Sequence, residues 1–323
     1  MKEMTYGEAL SEGLHEEMER DPTVFTMGED VELAYVYGVT KGTRERFGPE
    51  RTRDTPMSEN GLVGAAVGAA LTGTRPVLEI MFSNLLALCM DQIYNEASMI
   101  RYYSGGQVKR LPLVIRAPMG IWKGYGSTHS SAIVSWYMHI PGIHVATPAS
   151  PSDAKGLLKT SIRDDNPTIF LEHNQLYKTT GPIPEGEHLV PLGKSDVKRR
   201  GNDVTIVTYS SMVLRCLEAA DRLEEEGIGA EVIDLRTLAP LDLDPAMDSL
   251  DTTGRLVIVE EDARTCGAGS EIAAQVSDLA FDMLDAPVQR VAALDAPIPV
   301  SPVLEDVVYP TVEKIVAAVK AIL

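Results

Sequence analysis

Two residues carry the side-chain chemistry that stands out in this chain, Glu59 and His129. Glu59 lies in Thr52-Arg-Asp-Thr-Pro-Met-Ser-Glu-Asn-Gly-Leu-Val-Gly-Ala-Ala-Val-Gly-Ala-Ala-Leu71. That stretch reads as extended chain to Pro56, then a turn, then a helix of small residues. Ser58 is placed to cap the helix, its hydroxyl accepting a first-turn N–H. Glu59 then falls in the first turn, where the positive end of the helix dipole favours a carboxylate. Gly61, Gly64 and Gly68 leave the helix almost bare, so other backbone can approach it. The expectation is one acid, buried at a crowded helix start. Such an acid often only stabilises its helix, by about 0.3–1 kcal/mol, so the segment alone does not establish chemistry.

His129 sits at the base of the loop 117–131, Ala-Pro-Met-Gly-Ile-Trp-Lys-Gly-Tyr-Gly-Ser-Thr-His-Ser-Ser, with glycines at 120, 124 and 126. A histidine in a flexible loop is the usual proton carrier near neutral pH. The plain alternative is a surface histidine with no role. His139, His144 and His173 read as packing or strand-end residues.

The elements that must position these two residues alternate. Thr5 to Arg20 reads as an amphipathic helix, with Ala9, Leu10, Leu14 and Met18 on one side. Val24–Met27, Pro76–Met81, Leu111–Arg116, Ile143–Ala146 and Thr168–Leu171 read as short apolar strands, and Asn84–Tyr103 as one long helix. A further helix runs from about Ser150 to Arg163, and Gly73 suits the stop of the small-residue helix. Strands of this length alternating with helices predict an α/β fold with a parallel sheet covered on both faces. A polar stretch from Thr179 to Gly201, rich in proline and glycine, reads as a linker. The pattern then resumes with Val204–Tyr209, a helix to Glu226, Glu231–Leu235, Leu256–Val259, a helix from about Ser270, and Val288–Val291. The acidic run Glu224–Glu226 reads as a solvated helix end. In open parallel sheets ligands bind beyond the carboxyl ends of the strands. Glu59 and the 117–131 loop both follow extended segments, so they are expected at one edge of the sheet.

The bulk properties agree with a two-domain globular protein: 323 residues, 44% hydrophobic and 24% charged. A formal net charge of −18 disfavours nucleic-acid or anionic-membrane partners. Cys89, Cys216 and Cys266 are odd in number and show no metal-ligand spacing, so they read as reduced. Charged and polar residues follow Met1, and the apolar run Leu62–Leu71 is too short to span a bilayer. A soluble, cytoplasmic protein is expected. No phosphate-binding loop, Gly-x-Gly-x-x-Gly, Gly-x-Ser-x-Gly, HxxxH or CxxC pattern is present. An acid and a histidine with no means of holding a phosphate suggest half of a site shared with another chain.

Specific segments then fit one family in order. They include Asp54-Thr-Pro-Met-Ser-Glu-Asn-Gly61, Glu79-Ile-Met-Phe82, Asp91-Gln-Ile-Tyr-Asn95, His129-Ser130, Asp153-Ala-Lys-Gly156 and Ile162-Arg-Asp-Asp-Asn-Pro167. In the second half Asp234-Leu-Arg-Thr-Leu-Ala-Pro-Leu-Asp242, Glu260-Glu261 and Gly267-Ala-Gly-Ser-Glu271 also fit. Along nearly all its length the chain resembles the beta subunit of the thiamine-diphosphate-dependent E1 component of 2-oxoacid dehydrogenases, of the pyruvate, branched-chain or acetoin type. The resemblance implies a transketolase-like pyrimidine-binding domain over 1–185 and a transketolase C-terminal-like domain over 186–323.

It also implies an alpha subunit that binds the diphosphate and its magnesium, an α2β2 heterotetramer, and a lipoyl-bearing E2 acyltransferase as next partner. Glu59 matches the carboxylate that bonds the pyrimidine N1′ and favours the imino tautomer that activates the thiazolium carbon, the cofactor serving as electron sink. Met57, Phe82 and Leu85 fall where the family surrounds the cofactor. His129 matches the histidine implicated in acyl transfer to the lipoyl arm. Leu113, Ser161, Asp164 and Asn166 match the residues that hold a potassium ion. Two positions depart from the family. Leu85 stands where an aromatic residue often stacks on the pyrimidine, and Thr128-His129-Ser130-Ser131 replaces Gln-His-Ser-Gln. The alternatives are half of a split transketolase or deoxyxylulose-phosphate synthase-like enzyme, and a non-catalytic subunit that keeps the fold.

Overall fold

The computed structural model describes residues 1–33 and 38–323. It divides into two compact units, Met1–Met119 with Tyr137–Leu192, and Gly120–Trp136 with Gly193–Leu323. The loop around His129, which the sequence places with the first half, therefore groups with the second unit.

In the first unit, parallel strands lie in the order His144–Ala146, Thr168–His173, Val114–Met119, Arg75–Glu79, Val24–Gly28, Thr52–Asp54. Thr168–His173 and Val114–Met119 are buried along their whole length, as strands covered on both faces must be. The helix Tyr6–Arg20 opens with a capping box: Thr5 Oγ1 accepts the Glu8 N–H, and the Glu8 carboxylate accepts the Thr5 N–H at 2.9 Å. Its apolar face, Leu10, Leu14 and Met18, packs with Leu157, Leu158 and Ile162 of the helix Pro151–Arg163 over Val24, Val77, Val114 and Phe170. Each such side chain removed from water contributes about 1.5–3 kcal/mol.

Chain order changes direction between Val24–Gly28 and Arg75–Glu79. From Val24–Gly28 the chain moves to the edge strand Thr52–Asp54, then returns to the other side at Arg75–Glu79. The carboxyl ends of Val24–Gly28 and Arg75–Glu79 therefore flank the crevice where ligands bind in open α/β sheets. Gly28 makes the two strands fit there. A Cβ on it would meet the Glu79 carbonyl oxygen at 2.6 Å.

Three expectations are corrected here. Asn84–Tyr103 is not one α-helix but a 3₁₀ run Ser83–Cys89, a π run Gln92–Ser98 and a short α turn Ile100–Tyr103. Apolar spacing along the chain does not separate these windings, whereas packing on the helix Glu59–Leu71 does select one. Next, the Thr179–Gly201 stretch is not a bare linker. Thr180–Ile183 pairs antiparallel with Lys2–Thr5, and Asp196–Arg199 forms an antiparallel edge strand in the second unit. Finally, His139 is exposed rather than packed.

The second unit carries a sheet in the order Gln289–Ala293, Leu256–Ala263, Val204–Thr208, Ala230–Asp234, Asp196–Arg199. All but the last are parallel. Met212, Cys216, Ala220 and Leu223 of the helix Met212–Glu224 and Ile315 and Val319 of the helix Val312–Lys320 fill its core with Ile206, Val232 and Val257. Among the described residues, no helix is long and apolar enough to cross a membrane.

Candidate functional site

Glu59 is the first residue of the helix Glu59–Leu71, as expected, but its surroundings differ from the sequence reading. The Ser58 side chain makes no capping bond to the helix. Its hydroxyl lies 3.4 Å from Asn60 Oδ1, and that same oxygen accepts the Gly61 N–H at 2.7 Å. An amide one residue on has taken over the local capping work. Glu59 is half-buried rather than buried. Leu62, Val63, Ala66, Val67 and Ala70 face the interior, while Gly61, Ala65 and Gly68 face out. A Cβ at Gly68 would meet nothing within 4 Å. The bareness of this helix is thus largely turned outward, while a Cβ at Gly61 would crowd Ser58 Oγ at 3.1 Å and one at Gly64 would meet the Gln92 side chain at 3.6 Å.

The residues expected around a pyrimidine divide by exposure. Met57 is 82% exposed and Phe82 only 7%. Leu85 is half-buried, its N–H on the Phe82 carbonyl at 3.0 Å. Phe82 is therefore part of this chain's interior, whereas Met57 and Leu85 keep apolar surface near Glu59's end of the sheet.

One neighbour was not foreseen. Glu29 follows the strand Val24–Gly28 directly, at the carboxyl edge beside the strand Thr52–Asp54 that leads to Glu59. Burial first, then the Glu59 charge, then Asp30, raise the proton affinity of its carboxyl above the ordinary range. Its Oε1 is buried with no hydrogen-bond partner among the described residues. The Gly28-Glu-Asp30 turn held the signal: a carboxylate placed immediately beyond a strand's carboxyl end. Cys89 also feels Glu59. Burial, with that charge second, pushes its thiol up to about 12, so it stays protonated and unreactive.

Beneath this edge lies a charged core. Arg116 is fully buried in the strand Val114–Met119 and donates from Nε and Nη2 to the two Glu172 oxygens at 2.5 and 2.9 Å. Its Nη1 donates to Glu79 Oε2 at 2.6 Å. The Tyr177 hydroxyl also donates to Glu172. This cluster ties three adjacent strands together just below the residues that follow Glu79. Burial raises the Glu79 carboxyl, and Arg116 acts against that rise.

His129 belongs to the second unit. It is half-buried, its Nδ1 2.8 Å from Thr128 Oγ1 and its N–H on the Gly126 carbonyl at 3.3 Å. Trp122 and Tyr125 of the same loop stack on each other, with ring centroids 4.6 Å apart and planes 15° from parallel. The loop is held from the C-terminal part of its own unit. Glu261 accepts the Ile121 N–H at 2.7 Å, Glu305 the Gly124 N–H at 3.0 Å, and Asp262 the Ser135 N–H at 3.1 Å. The Tyr309 hydroxyl donates to the Ser130 carbonyl at 2.8 Å.

The four residues expected to hold potassium gather at the amino end of the first unit's strands, opposite Glu59. The Leu113 carbonyl accepts the Thr168 N–H at 2.8 Å. Asp164 Oδ1 accepts the backbone and side-chain N–H groups of Asn166 at 2.7 and 2.8 Å, and His144 Nε2 is 3.4 Å from it. Arg101 donates to Asn166 Oδ1. Ser161 Oγ is buried and without a partner.

Comparison with known proteins fits this arrangement. Residues 2–180 match the transketolase pyrimidine-binding domain family, and residues 193–315 match the transketolase C-terminal domain family. The beta subunit of acetoin:2,6-dichlorophenolindophenol oxidoreductase from Cupriavidus necator is 44% identical, over 97% of this chain and 95% of that one. The pyruvate dehydrogenase E1 component subunit beta from Rickettsia bellii is 46% identical, over 99% of this chain and 98% of its own length. A split-gene transketolase, described as an inactive β4 tetramer, superposes with a TM-score of 0.83 at 24% identity, covering 99% and 98% of the two chains, and shares the fold. With an acidic helix start at the crevice of a parallel sheet, both domain families in order and relatives matched end to end, this chain belongs to the transketolase-like family of pyruvate and acetoin dehydrogenase E1 beta subunits.

Proposed function

We propose that this chain is the beta subunit of a thiamine-diphosphate-dependent 2-oxoacid or acetoin dehydrogenase. In this reading it cleaves its substrate together with an alpha subunit in an α2β2 assembly and passes the acyl group to a lipoyl-bearing E2 partner. The observation that carries the reading is Glu59: an accessible carboxylate starting a helix at the crevice of a parallel sheet, beside a Glu29 carboxyl with a buried, unpaired oxygen. These two acids fit a protonated nitrogen heterocycle better than a phosphate, because both accept hydrogen bonds when ionised.

Glu59 would hold the pyrimidine N1′ and keep a proton there. Met57 and Leu85 would cover the ring with aliphatic surface where relatives often use an aromatic one. The bound cofactor supplies the nucleophile and the electron sink. Magnesium and diphosphate are assigned to the alpha subunit. The outward stripe Gly61, Ala65 and Gly68 supports a close-packed partner on that helix. His129, in the second unit's loop, is assigned to acyl transfer. A cytoplasmic location goes with this reading.

A monovalent cation, taken as potassium, is assigned to the carbonyls of Leu113 and Ser161 with Asp164 and Asn166. The all-oxygen donor set suits it, and the Arg101 bond to Asn166 must open for that side chain to ligate. The split-transketolase alternative rests on fold alone.

The test is co-expression with the alpha subunit, followed by dichlorophenolindophenol reduction on pyruvate, branched-chain 2-oxoacids and acetoin. Glu59→Gln should lower the rate about 10²–10⁴-fold, the usual worth of a positioned acid–base group. Full activity in Glu59→Gln sinks the assignment.

A further inference from the structure

Four side chains of the second unit grip the His129 loop, and each makes a hydrogen bond to its backbone. Going along the loop, Ile121 N–H is taken by Glu261, Gly124 N–H by Glu305, the Ser130 carbonyl by Tyr309, and Ser135 N–H by Asp262. These points bracket His129 on both sides. The grip comes from distant chain: Glu261 and Asp262 end the strand Leu256–Ala263, Glu305 sits in the helix Pro302–Val308, and Tyr309 follows it. All four are buried.

The loop needs such a grip. Gly120, Gly124 and Gly126 have φ of +80°, +93° and +71°, conformations that L side chains avoid, so its path is not imposed by its own residues. Bonds from ionised carboxylates to backbone N–H groups are among the stronger protein hydrogen bonds. Glu261 makes the grip continuous with the sheet, since its second oxygen accepts the Ser211 hydroxyl at 2.9 Å. Ile121 adds an apolar anchor with Ala293, Val308 and Tyr309.

We propose that Glu261, Asp262, Glu305 and Tyr309 are positioning residues that fix the loop 120–136 so that His129 is presented to the lipoyl carrier. This rests on the acyl-transfer role assigned to His129 above. It predicts a split between two half-reactions. Cofactor chemistry read with dichlorophenolindophenol depends on Glu59 and is insensitive to the grip. Reductive acylation of a lipoyl domain depends on it.

The experiment uses the assembled α2β2 enzyme and compares Glu305→Ala, Glu305→Gln, Asp262→Ala, Asp262→Asn and His129→Ala. The Ala variants should lower kcat for lipoyl-domain acylation about tenfold, the effect of losing one charge-assisted hydrogen bond, with dichlorophenolindophenol reduction within about twofold of wild type. The Gln and Asn variants keep an accepting oxygen and should recover most of the acylation rate. Backbone hydrogen exchange over residues 121–135 should quicken in the Ala variants only. If His129→Ala abolishes acylation while the Ala grip variants acylate normally, the positioning proposal falls and the reading of His129 stands. If His129→Ala acylates normally, that reading falls and takes the proposal with it. An equal loss of both half-reactions in the Ala variants also overturns the proposal, because it marks general damage.

Discussion

Burial, and after it the Glu59 carboxylate, raise the proton affinity of Glu29, whose buried Oε1 has no hydrogen-bond partner among the described residues. Two acids at one crevice cost stability when both are ionised, and that cost has a direction in pH. Because the folded-state pKa of Glu29 is raised above its ordinary 4.5, its protonated form is favoured in the fold. The stability it contributes is complete below pH 4.5 and is lost as the pH rises through the folded value. Glu29→Gln should therefore become progressively more stable than wild type as the pH is taken from 4.5 to neutrality. Thermal melts of both proteins across that range check it. Parallel curves would show that Glu29 carries no such penalty.

Arg116 offers a sharper test of stability. It is fully buried, and its removal leaves Glu172 buried without its cation. Arg116→Met should cost about 3–5 kcal/mol, the range for breaking a buried ion pair from one side. Urea unfolding monitored by circular dichroism gives the number. A loss under about 1 kcal/mol, an ordinary surface value, would mean that Glu79 and Glu172 are simply protonated and the cluster is not a stabilising tie.

The potassium assignment predicts a cation-specific stabilisation. At a concentration about tenfold above its dissociation constant, a bound ion contributes about 1.4 kcal/mol, which shifts Tm by about 3–6 °C for a domain of this size. Potassium chloride should raise Tm relative to choline chloride at equal ionic strength, and Asp164→Ala should abolish the difference. Equal melting in the two salts would remove the cation from the site.

Much of the first unit was legible from local pattern. The helix Tyr6–Arg20 announced itself by the spacing of Ala9, Leu10, Leu14 and Met18, and the helix Pro151–Arg163 lies within a residue of its expected bounds. The short apolar runs became parallel strands, some shifted by a few residues, as in Val114–Met119. Glu59 at a helix start was legible for the same reason: a turn at Pro56 and a run of small residues are short-range features. The helices Asp244–Thr253, Pro302–Val308 and Val312–Lys320 were not foreseen.

The sequence by itself determined the alternation of strands and helices, the place of Glu59 on its helix, and the pattern of motifs that marks the family. These depend on residues within a few positions of one another. Only the tertiary structure decided what surrounds them. Ser58 lost its cap to Asn60, Phe82 turned inward, Glu29 arrived beside Glu59, and Arg116 met Glu172 across 56 residues of chain. The His129 loop joined the second unit because its N–H groups found carboxylates 127 to 181 residues away. Burial and charge pairing act between groups that the chain brings together only by crossing the sheet, and no local spacing encodes them.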